Sequence, residues 1–410
     1  MKKTFCWILL CLFTCLFCGF ECRADETDKI VVVIDPGHGG DNLGAQVDER
    51  YEKEINLKVA KAMYDQLSLY EGVEVYLTRD TDKGLTLKKR AQIAEKKNAD
   101  YLISLHFNAS EYHELYGTEC WVPYQQFYEE SYDLASYFID ELTGIGLFNR
   151  GIKTRLNEEG DNYYGIIRES EKLDIPCVLV EHCHLDNEND EGYFETDKKL
   201  EKLGVLDAEA VAKYLGLKSK RLGNDYSDYS LEVTIPRSEN TRDKTEPTDC
   251  NLSVKEYKEN NGEITLILTA REDESRILYY DYSLDGGNTF TKRLPMESES
   301  IEFSVVLKEG SHPKIIARVY NLNDLYVESN KIIRDKVEYI VPKEDMPVVQ
   351  ISNEEMKVNE QKQKMLSFLI IVVLLIIICF FVILTLFTIK SIIHENRRRR
   401  RRNRYKRKQE

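Results

Sequence analysis

The chain has 410 residues, with 57 Lys and Arg against 71 Asp and Glu and a formal net charge of −14. The imbalance is uneven: the first 24 residues carry +2 and residues 366–410 carry +9, which leaves −25 for the body between them. An acidic body whose basic groups gather at one tip excludes a nucleic-acid-binding domain, and 42% hydrophobic residues with 25 Tyr and 15 Phe exclude a disordered chain.

Taken in chain order, Lys2 and Lys3 precede an apolar run over residues 7–20, and Cys22-Arg23-Ala24 offers a cleavage site before Asp25. This is the pattern of a secretory signal peptide over residues 1–24. A lipoprotein signal is excluded, because Phe17 before Cys18 and Glu21 before Cys22 are not small residues.

From residue 28 to 217 short β-branched or aromatic runs (30–34, 73–77, 101–105, 118–122, 177–180) alternate with helical patterns. Alternation of this kind predicts an α/β domain with a mixed, largely parallel sheet flanked by helices. Ile55, Val59, Met63 and Leu67 recur every four residues and predict a helix over 52–69. Further helices are expected at 85–98, 129–142 and 207–215.

Residues 218–250 turn polar and read as a linker. Beyond them, alternating runs at 263–270, 277–283, 301–307 and 315–320, separated by turns such as Asp285-Gly286-Gly287-Asn288, predict a small Ig-like β-sandwich over 251–342. The adjacent Tyr279 and Tyr280 read as strand packing rather than as a sugar platform. Residues 343–365 are a polar stalk.

Residues 366–389 contain no charge, and 24 such residues exceed the roughly 20 that cross a bilayer. The basic block Arg397 to Arg402 within the tail 390–410 fixes its side as cytoplasmic. The expectation is therefore a single-pass cell-membrane protein with residues 25–365 outside and a tail that attracts anionic lipid, at about 1 kcal/mol per basic residue. On that topology only Cys120, Cys177, Cys183 and Cys250 face the exterior. Four cysteines over so long a stretch are not a disulfide framework, although one bridge is open to them.

The chemistry concentrates in the first domain. The run Ile30 to Ile34 leads into Asp35-Pro36-Gly37-His38-Gly39-Gly40, which places one histidine in a tight turn at a strand's C-terminal end. Residues 101–105 lead in the same manner into His106, and 177–180 into Glu181. In open α/β sheets the ligand crevice lies outside the carboxyl ends of the strands, so these three groups converge on one site. Two imidazoles and a carboxylate make a catalytic zinc site with one open position, and Glu52 at the head of the helix is the candidate carboxylate. Its neighbour Glu54 is the rival, and the alternative for the two histidines is a pair of satisfied core residues.

The set Asp35-Pro36-Gly37-His38-Gly39-Gly40, Glu52-Lys53-Glu54-Ile55-Asn56-Leu57, Leu77-Thr78-Arg79-Asp80, Ser104-Leu105-His106-Phe107-Asn108-Ala109, Asn149-Arg150-Gly151 and Pro176 to Glu181 resembles the zinc-dependent N-acetylmuramoyl-L-alanine amidases, which hydrolyse bacterial peptidoglycan. The similarity runs from about residue 29 to 217. It implies that His38, Glu52 and His106 hold Zn2+, that Glu181 is the catalytic acid/base, and that peptidoglycan binds in a shallow groove. The bond implied joins N-acetylmuramic acid to the L-alanine of the stem peptide.

One departure follows Glu181, where His182-Cys183-His184 stand in place of the family's apolar or small residues. Strand alternation puts Cys183 on the face of Glu181 and the two histidines on the other, as supporting or surface groups. His113, His312 and His394 fall outside any motif and read as solvated. Two other classes of function remain: a catalytically silent peptidoglycan sensor, and an adhesion protein whose working part is the sandwich. Removing residues 248–343 separates the last from an amidase, which on this reading keeps its chemistry.

Overall fold

A computed structural model of the protein describes residues 29–339 apart from 112, 243 and 297. The signal peptide 1–24, the stalk 343–365, the apolar run 366–389 and the basic tail 390–410 lie outside the described residues. Among the described residues no helix is long and apolar enough to cross a membrane.

Six strands form the central sheet: β1 (Ile30–Pro36), β2 (Val73–Leu77), β3 (Tyr101–Asn108), β4 (Thr118–Trp121), β5 (Asn149–Lys153) and β6 (Cys177–His184), in the order β2-β1-β3-β6-β4-β5. Every neighbouring pair is parallel except β4 with β6. The sheet is thus mixed and largely parallel, with helices on both faces. The Val and Ile of β1 show why: Val32 and Ile34 enter one core and Val33 the other, all fully buried, so the strand needs apolar residues at every position.

On one face lie α1 (Glu52–Leu67), α3 (Tyr128–Gly144) and α6 (Asp197–Tyr214); on the other lie α2 (Leu87–Lys96) and α4 (Gly165–Glu171). The short α5 (Glu188–Phe194) precedes α6. Val59, Met63 and Leu67 of α1 are fully buried, as their spacing requires. Gly204 lets α6 come up against α1, since a Cβ there would lie 2.3 Å from the Val59 carbonyl oxygen.

The second layer of architecture is a β-domain of two antiparallel sheets. One contains β7 (Asp249–Lys258), β8 (Glu263–Arg271) and β11 (Ser300–Val306); the other contains β9 (Ile277–Ser283), β10 (Leu294–Pro295), β12 (Lys314–Asn321), β13 (Tyr326–Glu328) and β14 (Ile332–Ile333). Leu252, Ile264, Leu266, Leu268, Ile315 and Val319 fill the space between them. The two sheets differ in their outer faces. β11 alternates between exposed and half-buried positions, whereas β9 is buried along almost its whole length.

The reason is that the outer face of the β9 sheet packs on the α/β domain. Leu278, Tyr279, Tyr320 and Leu322 form a buried cluster with Tyr116 and Phe148, and a Cβ on Gly151 would lie 2.6 Å from Leu322 Cδ1. Tyr279 has no exposed surface. Its strand-packing role holds, but the partner is the neighbouring domain. The polar segment 218–250 is not a free connection either. Ser219 is buried with its hydroxyl on the Leu69 carbonyl at 2.6 Å, Tyr226 stacks on Tyr70, and Tyr128 donates to the Pro236 carbonyl at 2.9 Å. Residues 29–339 therefore form one unit. All four described cysteines are buried free thiols, so no bridge joins any of them.

Candidate metal centre and active site

β1 delivers the chain to a loop in which His38 adopts a left-handed backbone, φ 61°. Two buried arginines hold that loop. Arg79 donates to the carbonyls of Pro36 at 2.9 Å and Gly37 at 2.7 Å; Arg90 donates to Asp35 Oδ1 and the Pro36 carbonyl, both at 2.7 Å, and to the His38 carbonyl. Asp35 also accepts from Thr78 and from Ser104 at 2.9 Å. Gly37 is required for space, because a Cβ there would lie 2.2 Å from the His106 ring.

Glu52 opens α1, where the helix dipole favours a carboxylate. It is 3% exposed, and its two oxygens are shared out between neighbours. Oε1 lies 3.0 Å from His106 Nδ1 and accepts from the Asn56 amide and the Phe107 N–H, both at 3.2 Å. Oε2 lies 3.1 Å from His38 Nε2 and accepts from the Ala45 N–H at 2.8 Å. Burial raises the Glu52 pKa, but the hydrogen bonds of His106 and then His38 outweigh it and hold the carboxyl well below its usual range. Glu54 points outward, exposed, which removes it as a ligand.

One ligand atom from each of His38, Glu52 and His106 lies within 4.8 Å of the other two, the one such group among the described residues. His38 Nδ1 pairs with Asn42 Oδ1 at 2.9 Å, which leaves Nε2 to face the centre. For the His38 ring, burial lowers the pKa while the Glu52 contact raises it, and the net direction is up. A carboxylate caught between two imidazole nitrogens needs a positive charge at their meeting point, supplied by ring protons or by a metal ion. Two nitrogens and one oxygen, with no further side chain among the described residues joining the set, fit a zinc site that keeps a position open.

Glu181 is directly across from His106 in the β3–β6 ladder and from Glu119 in the β6–β4 ladder. It is 8% exposed, and its Oε2 has no hydrogen-bond partner among the described residues. Burial first, and then the charges of Glu52 and Glu119, push its pKa well above the ordinary value. Glu119 is itself buried but fully partnered, accepting from Lys153 at 2.7 Å, Arg150 at 2.9 Å and Asn108 at 3.0 Å. Lys153 and Arg150 overcome its burial and hold its pKa below the usual carboxylate range.

The residues after Glu181 depart from simple alternation. Between the pairs His106–Glu181 and Asn108–His184, one residue of β3, Phe107, opposes two of β6, His182 and Cys183, and this bulge turns Cys183 away from Glu181 into the core beneath α3 and α6. His182 and His184 are fully buried rather than at the surface. The ring of His182 bridges the His106 carbonyl at 3.0 Å and Asp207 at 2.9 Å, while His184 Nδ1 donates to the Gly117 carbonyl at 3.2 Å. Neither joins the ligand group. His113 is an exposed partner of Asp186 at 2.7 Å, and His312 is exposed; His394 lies outside the described residues. Sequence reasoning did not single out Asn42, Asp35, Arg90 or Glu119, which support the centre through contacts between residues far apart in the chain.

A mixed α/β sheet that presents two histidines at its strand ends and a carboxylate at the head of α1, with a buried carboxyl bearing one unpartnered oxygen alongside, has the side chains of a hydrolase site that could hold a metal ion. Residues 32–213 match the family described as N-acetylmuramoyl-L-alanine amidase. A protein of Buchnera aphidicola subsp. Baizongia pistaciae, provisionally named as such an amidase, is 30% identical over 38% of this chain and 83% of its own length. The amidase CwlM of Bacillus licheniformis is 26% identical over 52% of this chain and 78% of its own. The crystal structure of the N-acetylmuramoyl-L-alanine amidase of Clostridium difficile 630 is 30% identical, covers 46% of this chain and 97% of that one, and has a TM-score of 0.41. The chain belongs to the N-acetylmuramoyl-L-alanine amidase family.

Proposed function

We propose that the chain is a zinc-dependent N-acetylmuramoyl-L-alanine amidase, with His38, Glu52 and His106 as the metal ligands and Glu181 as the catalytic acid/base. The reaction is hydrolysis of the amide between the lactyl group of N-acetylmuramic acid and the L-alanine of the peptidoglycan stem peptide. The observation that carries the reading is the convergence of the three ligand atoms within 4.8 Å beside a buried carboxyl with an unpartnered oxygen.

Zinc bound there supplies Lewis acidity towards the scissile carbonyl and the attacking water. The remaining work falls to the chain's own groups. Glu181 takes a proton from the attacking water as the new C–O bond forms. It returns that proton to the L-alanine nitrogen as the C–N bond breaks, so one carboxyl serves as base and then acid. Its raised pKa suits both halves of the cycle, because the proton is neither refused nor held too weakly. Asn42 holds the His38 ring in the orientation that leaves Nε2 free, and Arg79 and Arg90 fix the loop that carries it. The intact set of ligands and acid/base favours catalysis over a silent sensor.

The same reading places the enzyme on the outer side of a cell membrane. Support comes from the sequence: a signal pattern at residues 1–24, the uncharged run 366–389, and the basic tail that follows it.

The test is mass spectrometry of purified peptidoglycan digested with the protein, with and without a chelator. Free stem peptides that disappear on chelation and return with zinc are expected. Glu181→Gln should keep its zinc and lose turnover by about 10²–10⁴-fold; stem-peptide release at the wild-type rate from that variant would remove Glu181 from the mechanism.

A further inference from the structure

We infer that the β-domain is a working part of the amidase site, with Asp324 and Tyr279 as positioning residues that hold Glu119 beside Glu181 by way of Arg150. The inference rests on the amidase reading above.

Arg150, on the edge strand β5, is 1% exposed and spends its donors on two domains. Nε donates to Glu119 Oε2 at 2.9 Å within the α/β domain. Nη1 donates to the Tyr279 hydroxyl at 3.0 Å and Nη2 to Asp324 Oδ2 at 2.8 Å, both in the β-domain. The Tyr279 hydroxyl donates in turn to the Tyr116 carbonyl at 2.9 Å, just before β4 begins. The guanidinium is therefore aimed at Glu119 by contacts that the α/β domain does not itself supply.

Charge leads to the same conclusion. Arg150 and Lys153 are two buried cations, and both bind Glu119, a single buried anion. Within the α/β domain this cluster is one negative charge short. Asp324 supplies it from the β-domain, and at the rim it is also paired with Arg293 at 2.8 Å. A buried charge left without its partner is costly, so the cluster is complete only when the β-domain is docked. The apolar cluster of Leu278, Tyr279 and Leu322 against Tyr116 and Phe148 keeps water from it.

The cluster reaches the chemistry. Glu119 pairs with Glu181 across the strands, and its other oxygen accepts from Asn108, two residues beyond His106, at 3.0 Å and from Trp121 Nε1 at 3.2 Å. With Asp324 gone, Arg150 and Lys153 compete for Glu119 without compensation. The carboxylate then shifts at the position facing Glu181, without touching a metal ligand.

The test uses the full chain with Asp324→Asn, Tyr279→Phe and, as a control, Lys255→Ala, whose ion pair with Glu302 is on the exposed outer sheet. Asp324 has a left-handed backbone, φ 62°, which Asn adopts as readily, so that substitution changes charge and leaves the turn intact. Zinc content, melting temperature, kcat and KM on soluble muropeptides are measured well below each variant's melting point. Both interface variants should keep full zinc and lose roughly tenfold in kcat with KM changed by less than about twofold, while Lys255→Ala matches wild type. If Asp324→Asn does not fold, Tyr279→Phe decides alone. Variants that melt earlier but turn over at the wild-type rate while folded would make the interface a clamp only and overturn the inference, as would loss of zinc in step with activity. An inactive wild-type protein instead defeats the amidase reading itself.

Discussion

Glu52 and Glu181 are both buried carboxyls within a few residues of the same centre, yet their surroundings drive them in opposite directions. Glu52 is surrounded by donors and its pKa is held down; Glu181 faces two other carboxylates with one oxygen unpartnered, and its pKa is pushed up. Two measurable consequences follow from this contrast. Glu52→Gln should lose zinc to well below one ion per chain by elemental analysis, whereas Glu54→Gln, altered on an exposed position of the same helix turn, should keep it; equal zinc in both would displace Glu52 from the ligand set. For Glu181 the consequence is in pH. A carboxyl whose native pKa is raised contributes stability in full below its unfolded value of about 4.3, and that contribution is lost as pH rises through the native value. In metal-free protein Glu181→Gln should therefore gain in melting temperature over wild type as pH rises from about 4.3 up to the native value. A difference that is flat or falls with pH would contradict the raised pKa.

At the scale of elements, the site is a strand end, β1, clasped by α2. The Arg90–Asp35 pair joins them at 2.7 Å with both side chains almost fully buried. Arg90→Met should cost about 3–5 kcal/mol, because Asp35 is left charged and partly unpaired; a denaturant midpoint moved by under about 1 kcal/mol would mean that water enters and solvates Asp35. None of this pairing shows in the sequence, since Asp35 and Arg90 are 55 residues apart. What did show were elements whose residues obey one rule throughout: the four-residue apolar spacing of α1 and the uninterrupted Val and Ile of β1. Elements without such a rule stayed hidden. α4 and α5 have only seven residues each, two turns, too few for a period to emerge. β5 reads Asn-Arg-Gly-Ile-Lys because its polar side chains serve the Glu119 cluster and Gly151 makes room for Leu322. β7 shows mostly exposed positions, so it lacks an apolar face strong enough to mark it. The bulge in β6 defeated the two-residue alternation for Cys183 and His184, while His182 stands opposite Glu181 as alternation requires, because one extra residue exchanges the faces of everything beyond it.

For the whole molecule, the sequence's division at residue 218 is a change of composition that does not correspond to a mechanical boundary. Polar character marked residues 218–250 as a linker, yet polarity there reflects hydrogen bonding along the surface of the α/β domain, as at Ser219 and Thr241, both buried. Domains joined by a true linker unfold separately, whereas an interface that buries an apolar cluster and completes a charge cluster couples them. A soluble form of residues 29–339 should therefore unfold in one calorimetric transition. At about 0.7 kcal/mol per residue near 60 °C, its enthalpy should be on the order of 200 kcal/mol, with the van't Hoff and calorimetric values in agreement. Independent domains would instead give two peaks, or a van't Hoff enthalpy well below the calorimetric one. Asp324→Asn should move towards that behaviour, since it removes the β-domain's charge from the shared cluster while leaving each hydrophobic core untouched. A wild-type protein that melts in two separate steps would show the contact to be too weak to unite the domains, and a single step retained in Asp324→Asn would assign the coupling to Leu278, Tyr279 and Leu322 rather than to charge.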